Sequence, residues 1–196
     1  MSQTITKLYD SYAEASAAIT ELERIGIPHK DISILANNGE GKVETRAGED
    51  AGIGAGAGGV IGGVGGLLAG LGVLAIPGLG PIVAAGWLAA TAVGAGVGAV
   101  VGGAAGGLVG ALQKEGVSED DAHVYSEGVR RGGTLVSVKV PSDREAEARD
   151  VLDRYRPVDP AARRAAYGAK GWSRFDEAAN PYTAEQIEEE RGFYTR

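Results

Sequence analysis

Three features of the sequence predict an α+β fold. Short runs alternate apolar and polar residues, amphipathic segments with helical spacing lie between them, and a 63-residue span from Ala51 to Gln113 holds no Asp, Glu, Lys, Arg or His. Of the 33 glycines, 22 fall in that span, so two chemistries are joined in one chain of 196 residues.

The first element is a strand over Thr4–Tyr9. Ser11 then opens a helix whose Ala15, Ala18, Ile19, Leu22 and Ile25 share one face, and Gly26 stops it. After the turn at Ile27–Lys30, alternating Ile32, Ile34 and Ala36 predict a second strand, broken at Asn37-Asn38-Gly39. Beyond the glycine-rich span, Ser118 with Asp121 three residues later forms a capping pattern for a helix ending at Gly132-Gly133. The next strand, Thr134–Val140, places Val136, Val138 and Val140 on one face. Ser142 or Asp143 then caps a helix with Ala148, Val151, Leu152 and Tyr155 inward. Val158 and Asp159 are expected to form a last, very short strand, weakened by Pro157 and Pro160 on either side.

The order β-α-β followed by α-β-α-β is most simply closed as a ferredoxin-like split βαβ domain. On that reading residues 1–50 and 114–160 are its two halves and 51–113 interrupts it. Residues 161–196 form a polar tail with scattered aromatics, too sparse for a core of its own. Two readings are open for it: a disordered tail, or a docking peptide whose Trp172, Phe175 and Tyr182 fold onto a partner or onto the head. Thr183 with Gln186 offers one helix start within it.

Within the span, Gly54, Gly58, Gly62, Gly66 and Gly70 recur every fourth residue, as do Gly94, Gly98, Gly102, Gly106 and Gly110. On a helix each series draws a groove free of side chains, along which a second backbone can approach closely. The intervening Ile76-Pro77-Gly78-Leu79-Gly80-Pro81 forbids an unbroken helix, with Pro77, Gly78, Gly80 and Pro81 as the turn. An antiparallel Gly/Ala-rich helical hairpin is therefore expected. Its arms, 51–75 and 81–113, would be roughly 37 and 50 Å long, against a bilayer core of roughly 30 Å.

Glycine costs a solvated helix about 1 kcal/mol per residue relative to alanine, so such arms must be buried. Lipid and the interior of a protein assembly both satisfy this. The uncharged length and the glycine spacing favour lipid, whereas modest hydrophobicity and the lack of a Lys/Arg excess at the flanks oppose it. In lipid, both hairpin ends would face the cytoplasm and only the uncharged tip would cross.

The net charge of −7 lies outside the span and no basic block stands out, which argues against nucleic acid as a partner. The absence of cysteine removes thiolate chemistry and fits a reducing compartment. Met1–Asp10 lack the pattern of a secretory signal, so the chain is expected to begin in the cytoplasm. The run Gly52-Ile53-Gly54-Ala55-Gly56 imitates a dinucleotide loop, but no strand precedes it and the pattern continues for sixty residues. His29 and His123 lack metal-site spacing, Glu119-Asp120-Asp121 suits a helix N-terminus, and no nucleophile–base grouping is evident. No cofactor, metal or enzymatic activity is expected.

Leu8-Tyr9-Asp10-Ser11-Tyr12, Gly26–Ser33 and Tyr125-Ser126-Glu127-Gly128-Val129-Arg130-Arg131-Gly132-Gly133-Thr134-Leu135-Val136 resemble the general stress protein 17M-like (YflT-type) domain. The resemblance covers roughly the first 160 residues, and larger bacterial members similar to this chain carry a glycine-rich stretch around a turn like Ile76–Pro81. Gly171-Trp172-Ser173 and Asn180–Thr183 are similar to segments of longer members. The resemblance implies a role in stress survival and supplies no catalytic residues. Together these features predict a structural protein that assembles with itself through its glycine series, at the cytoplasmic membrane or in a soluble assembly. The alternative is an adaptor whose head or tail recruits a partner while the hairpin only anchors it.

Overall fold

The computed structural model describes residues 2–37, 71–76, 78–98 and 107–194. Five strands form one antiparallel sheet in the order β1-β5-β2-β4-β3: β1 (Ser2–Tyr9), β2 (Ile32–Asn37), β3 (Gly72–Ile76), β4 (Gly80–Ala85) and β5 (Thr134–Pro141). Helix α1 (Tyr12–Arg24) joins β1 to β2, which flank β5 instead of touching each other. Ser11 caps α1, its Oγ accepting from the Ala13 N–H at 3.2 Å. At the other end Gly26 has φ +87° and the Ile27 N–H returns to the Leu22 carbonyl, which ends the helix.

The period-two pattern sends alternate strand residues to two separate clusters. Val136, Val138, Val140, Ile32 and Ile34 meet Ala15, Ala18, Ile19 and Leu22 of α1 and Ala148, Val151 and Leu152 of α5 (Glu145–Arg154). On the opposite face Leu8, Leu35, Leu135 and Ile82 meet α2 (Trp87–Gly98), α3 (Gly107–Lys114) and α4 (Glu119–Arg130). The sheet is thus the middle of three layers. Each fully buried Leu, Ile or Val contributes about 1.5–3 kcal/mol.

Three expectations are corrected. Sequence periodicity predicts helical arms over 51–75 and 81–113, yet Gly72–Ile76 and Gly80–Ala85 are paired strands in the head's own sheet. Their turn is held by the Leu79 N–H on the Ile76 carbonyl at 3.0 Å. Two apolar runs flank a glycine turn, and β4 finds an open ladder on the distant β2. Gly78 and Gly80 therefore lie in a β-turn against the head. Among the described residues no helix is long and apolar enough to cross a membrane.

The second correction concerns Val158 and Asp159, which form no strand. The Val158 N–H makes one bond to the Leu8 carbonyl at 2.7 Å beside β1, and Asp159 then caps α6 (Pro160–Ala169), its carboxylate accepting from the Ala162 N–H at 2.8 Å. Proline at helix position one suits this start and ends any ladder. Third, Ser142–Arg144 form a 3₁₀ turn and α5 begins after it, with no side-chain cap.

Of the two readings open for the tail, its described part follows the one that folds onto the head. It consists of α6, an irregular strap and α7 (Ala184–Tyr194), and buries Tyr167, Phe175 and Ile187 to 5% exposure or less. Too poor in apolar residues for its own core, it completes the core of the head.

Of the two glycine series, Gly94 and Gly98 lie on α2 and Gly110 is buried on α3, and these helices pack against each other. Gly54, Gly58, Gly62, Gly66, Gly70, Gly102 and Gly106, and the turn residue Pro77, lie outside the described residues. Pro81 opens β4 beside Ala75 of β3 and is exposed.

Candidate functional site

The most heavily charged buried region of the described chain sits at the C-terminal end of α4. Glu127 is fully buried, and Arg130 and Arg131, three and four residues on, fold back to its carboxylate. Arg130 Nη2 lies 2.9 Å from Oε1 and 2.7 Å from Oε2, and Arg131 Nε lies 2.6 Å from Oε1. A lone carboxylate here would be very costly, so two guanidinium groups are what make the burial tolerable.

The tail closes over those two arginines. Arg130 stacks on Phe175 at 5.5 Å and Tyr182 at 5.2 Å, and Arg131 on Tyr167 at 4.3 Å and Tyr182 at 5.4 Å. Arg131 Nη1 also reaches Glu190 of α7 at 3.0 Å, whose other oxygen meets Lys170 at 3.0 Å. Burial alone would lower the pKa of Arg131, but Glu127 and Glu190 outweigh it and hold the value above the ordinary one. Burial likewise works to raise Glu190, while hydrogen bonds from Lys170 and Arg131 hold it below the usual carboxylate range.

Glycines let the tail lie this close. Gly132 follows α4 at φ +97°, where a Cβ would run into Ile187 of α7, and Arg191 Nη2 binds its carbonyl at 2.8 Å. In the β3–β4 turn a Cβ on Gly78 would come within 3.0 Å of Phe175, and one on Gly80 within 2.7 Å of Pro181. At the start of α3 a Cβ on Gly107 would lie 2.9 Å from a Glu177 carboxylate oxygen. The strap therefore touches the head and two described pieces of the glycine-rich span. Burial, and then the neighbouring Asp176, push the Glu177 carboxyl above its usual range.

No protein-family model, curated protein or solved structure matches the chain. Its chemistry is therefore read from the geometry.

Candidate partner-docking residues Phe175 and Tyr182 are engaged with Arg130 and Arg131, and Trp172 packs edge-on to Tyr167 at 5.4 Å. A polar cleft of about 210 Å³ lies next to them, lined by Glu119, Asp120, His123, Arg164, Trp172 and Arg174. Its charges are matched: Arg174 pairs with Glu119 at 3.1 Å, and Arg164 with Asp121 at 3.0 Å and Asp120 at 3.4 Å. Burial first and Arg174 second lower the pKa of His123, against the opposing pull of Glu119 and Asp120. His29 sits at the other histidine position, its Nδ1 3.5 Å from Glu23. Among the described residues no three His, Asp or Glu side chains are grouped to hold a metal ion.

The Glu127–Arg130–Arg131 cluster is the feature that residue-by-residue sequence inspection passes over. Its signal is a Glu followed at i+3 and i+4 by Arg on a helix ending in two glycines. Such a pattern ordinarily marks a solvated helix end, and only the docked tail turns it into a buried network.

Proposed function

We propose that this chain is a non-catalytic structural protein that associates with itself, its α/β head fixing a glycine-rich segment in place for contact with other copies. The observation that carries this is the packing of α2 against α3, helices that bear Gly94, Gly98 and Gly110 of the second glycine series. Close backbone approach between helices is what such spacing serves. The strap adds support, because it touches the β3–β4 turn and the start of α3 as well as α4, holding two pieces of the segment in one arrangement. A stress-survival role follows from the sequence resemblance to the YflT-type domain, whose motif residues Glu127, Arg130 and Arg131 hold the tail in this chain.

The head is, on this proposal, a ferredoxin-like unit widened on one side. Supporting it are β1 and β2 on either side of β5, α1 and α5 side by side on one face, and Val158 bonded at the outer edge of β1 where a fourth strand would lie. The strands β4 and β3 then extend the sheet beyond β2.

The test is the full chain with Gly62→Leu and Gly102→Leu together, followed by light scattering. Side chains in the groove should hold backbones apart and lower the mass of the assembly. An unchanged mass would remove the glycine series from the contact. Membrane fractionation of the unaltered chain separates the two burial environments: carbonate-resistant recovery in the membrane fraction assigns the segment to lipid, and a detergent-free particle assigns it to protein.

A further inference from the structure

The two edges of the sheet are finished in opposite ways. Along β1, the outward carbonyls of Thr6 and Leu8 are taken by the Tyr125 hydroxyl at 3.4 Å and the Val158 N–H at 2.7 Å, and Lys7 is paired with Asp153 at 2.8 Å. Blocking and charging an edge in this way prevents strands of other molecules from adding to it. At the far edge, β3 pairs with β4 on one side, and no described residue pairs with it on the other. Its sequence, Gly72-Val73-Leu74-Ala75-Ile76, has no charge, no proline and no bulge in its register with β4.

The two faces of β3 also differ. Leu74 packs into the cluster under α2, but Val73, opposite Val83, points to the face where α1 and α5 lie over β1 and β5. Val73 is 57% exposed, and Ala75 and Pro81 beside it are exposed as well. An apolar ledge thus runs along a strand edge that no described residue covers.

We propose that β3 is an edge at which two copies of this chain join, strand to strand and antiparallel. A second copy fits because the strand is its own complement: a two-fold axis at Leu74 sets Val73 of each copy opposite Ala75 of the other and brings the two ledges together. Charge agrees with this choice. The molecule carries −7, yet no charged residue occurs between Ala51 and Gln113, so the two copies meet where like charges are absent. Five residues and a narrow ledge make a small contact, so the association depends on concentration. The proposal shares with the function above the premise of self-association but places a contact on a different surface.

The experiment uses the full chain and its Val73→Lys variant, with mass read by light scattering across a concentration series. The unaltered chain should reach at least twice its 19.9 kDa, and Val73→Lys should lower the mass at least twofold, with Tm equal to that of the unaltered chain at dilutions where both are single chains, since Val73 faces water there. The chain has no cysteine, so oxidising a mixture of Val73→Cys and Ala75→Cys chains should give a mixed cross-linked dimer in excess over either chain alone. A single-chain mass at every concentration, or an assembly that Val73→Lys leaves intact, overturns the proposal. So does a Tm lowered in Val73→Lys at dilutions where the unaltered chain is also single, which would mean that the chain's own residues cover β3. The Gly62→Leu, Gly102→Leu chain separates the two contacts: association that survives in it and is lost in Val73→Lys leaves β3 standing without the glycine series, and the reverse result removes β3 alone.

Discussion

Glu127 shows how one side chain can carry an arrangement out of proportion to its size. Its carboxylate is the counter-charge for both Arg130 and Arg131, and those guanidinium groups form the floor on which Phe175, Tyr182 and Tyr167 lie. Glu127→Ala should therefore destabilise the fold by about 3–5 kcal/mol, the range for stranding a buried charge, as read from urea denaturation. A loss under about 1 kcal/mol would mean that the cluster is solvated. Glu177 acts in the other direction. Its carboxyl is raised by burial and by Asp176, so ionisation costs the folded state, and its contribution is favourable in acid and is lost as pH rises through the raised value. Glu177→Gln should raise Tm at pH 7 and leave it unchanged at pH 4; an equal shift at both would assign the effect to packing.

At the scale of elements, the tail is a strap that buries its aromatics on the head. Phe175 is 5% exposed and joins the cluster under α2, α3 and α4, so Phe175→Ala should cost about 3–5 kcal/mol and expose the stretch between α6 and α7 to limited proteolysis. Resistance equal to that of the unaltered chain would count against the strap. Much of the head's element pattern is legible in the sequence because local rules and tertiary needs agree there. Ser11 and Ser118 cap the helices they are predicted to cap, and Val136, Val138 and Val140 face one cluster. Agreement fails at β3 and β4. The glycine series on either side carry a helical expectation across the apolar runs that flank Pro-Gly-Leu-Gly-Pro, and the open ladder on β2, formed by residues far away in the chain, decides for strands there.

For the whole molecule, acid should weaken the fold in two stages. His123 is held neutral by burial and by Arg174, with Glu119 and Asp120 opposing, so its contribution is complete above about pH 6.5 and is lost as pH falls toward its lowered value. Glu190, lowered by Lys170 and Arg131 against its burial, adds a second loss below about pH 4, by which point the opposing gain from protonating Glu177 is already complete. A Tm profile on the full chain checks this, and His123→Phe should flatten the upper stage. Taken alone, the sequence determines the α+β class, the helix caps, the two-faced strands and the division between charged and uncharged regions, because each rests on spacing within a few residues. Only the tertiary structure decides that part of the glycine-rich span joins the sheet, that the tail is a strap, and that Glu127 is buried beneath it. Each of those depends on which distant surface lies open to receive the segment, and spacing along the chain does not encode that.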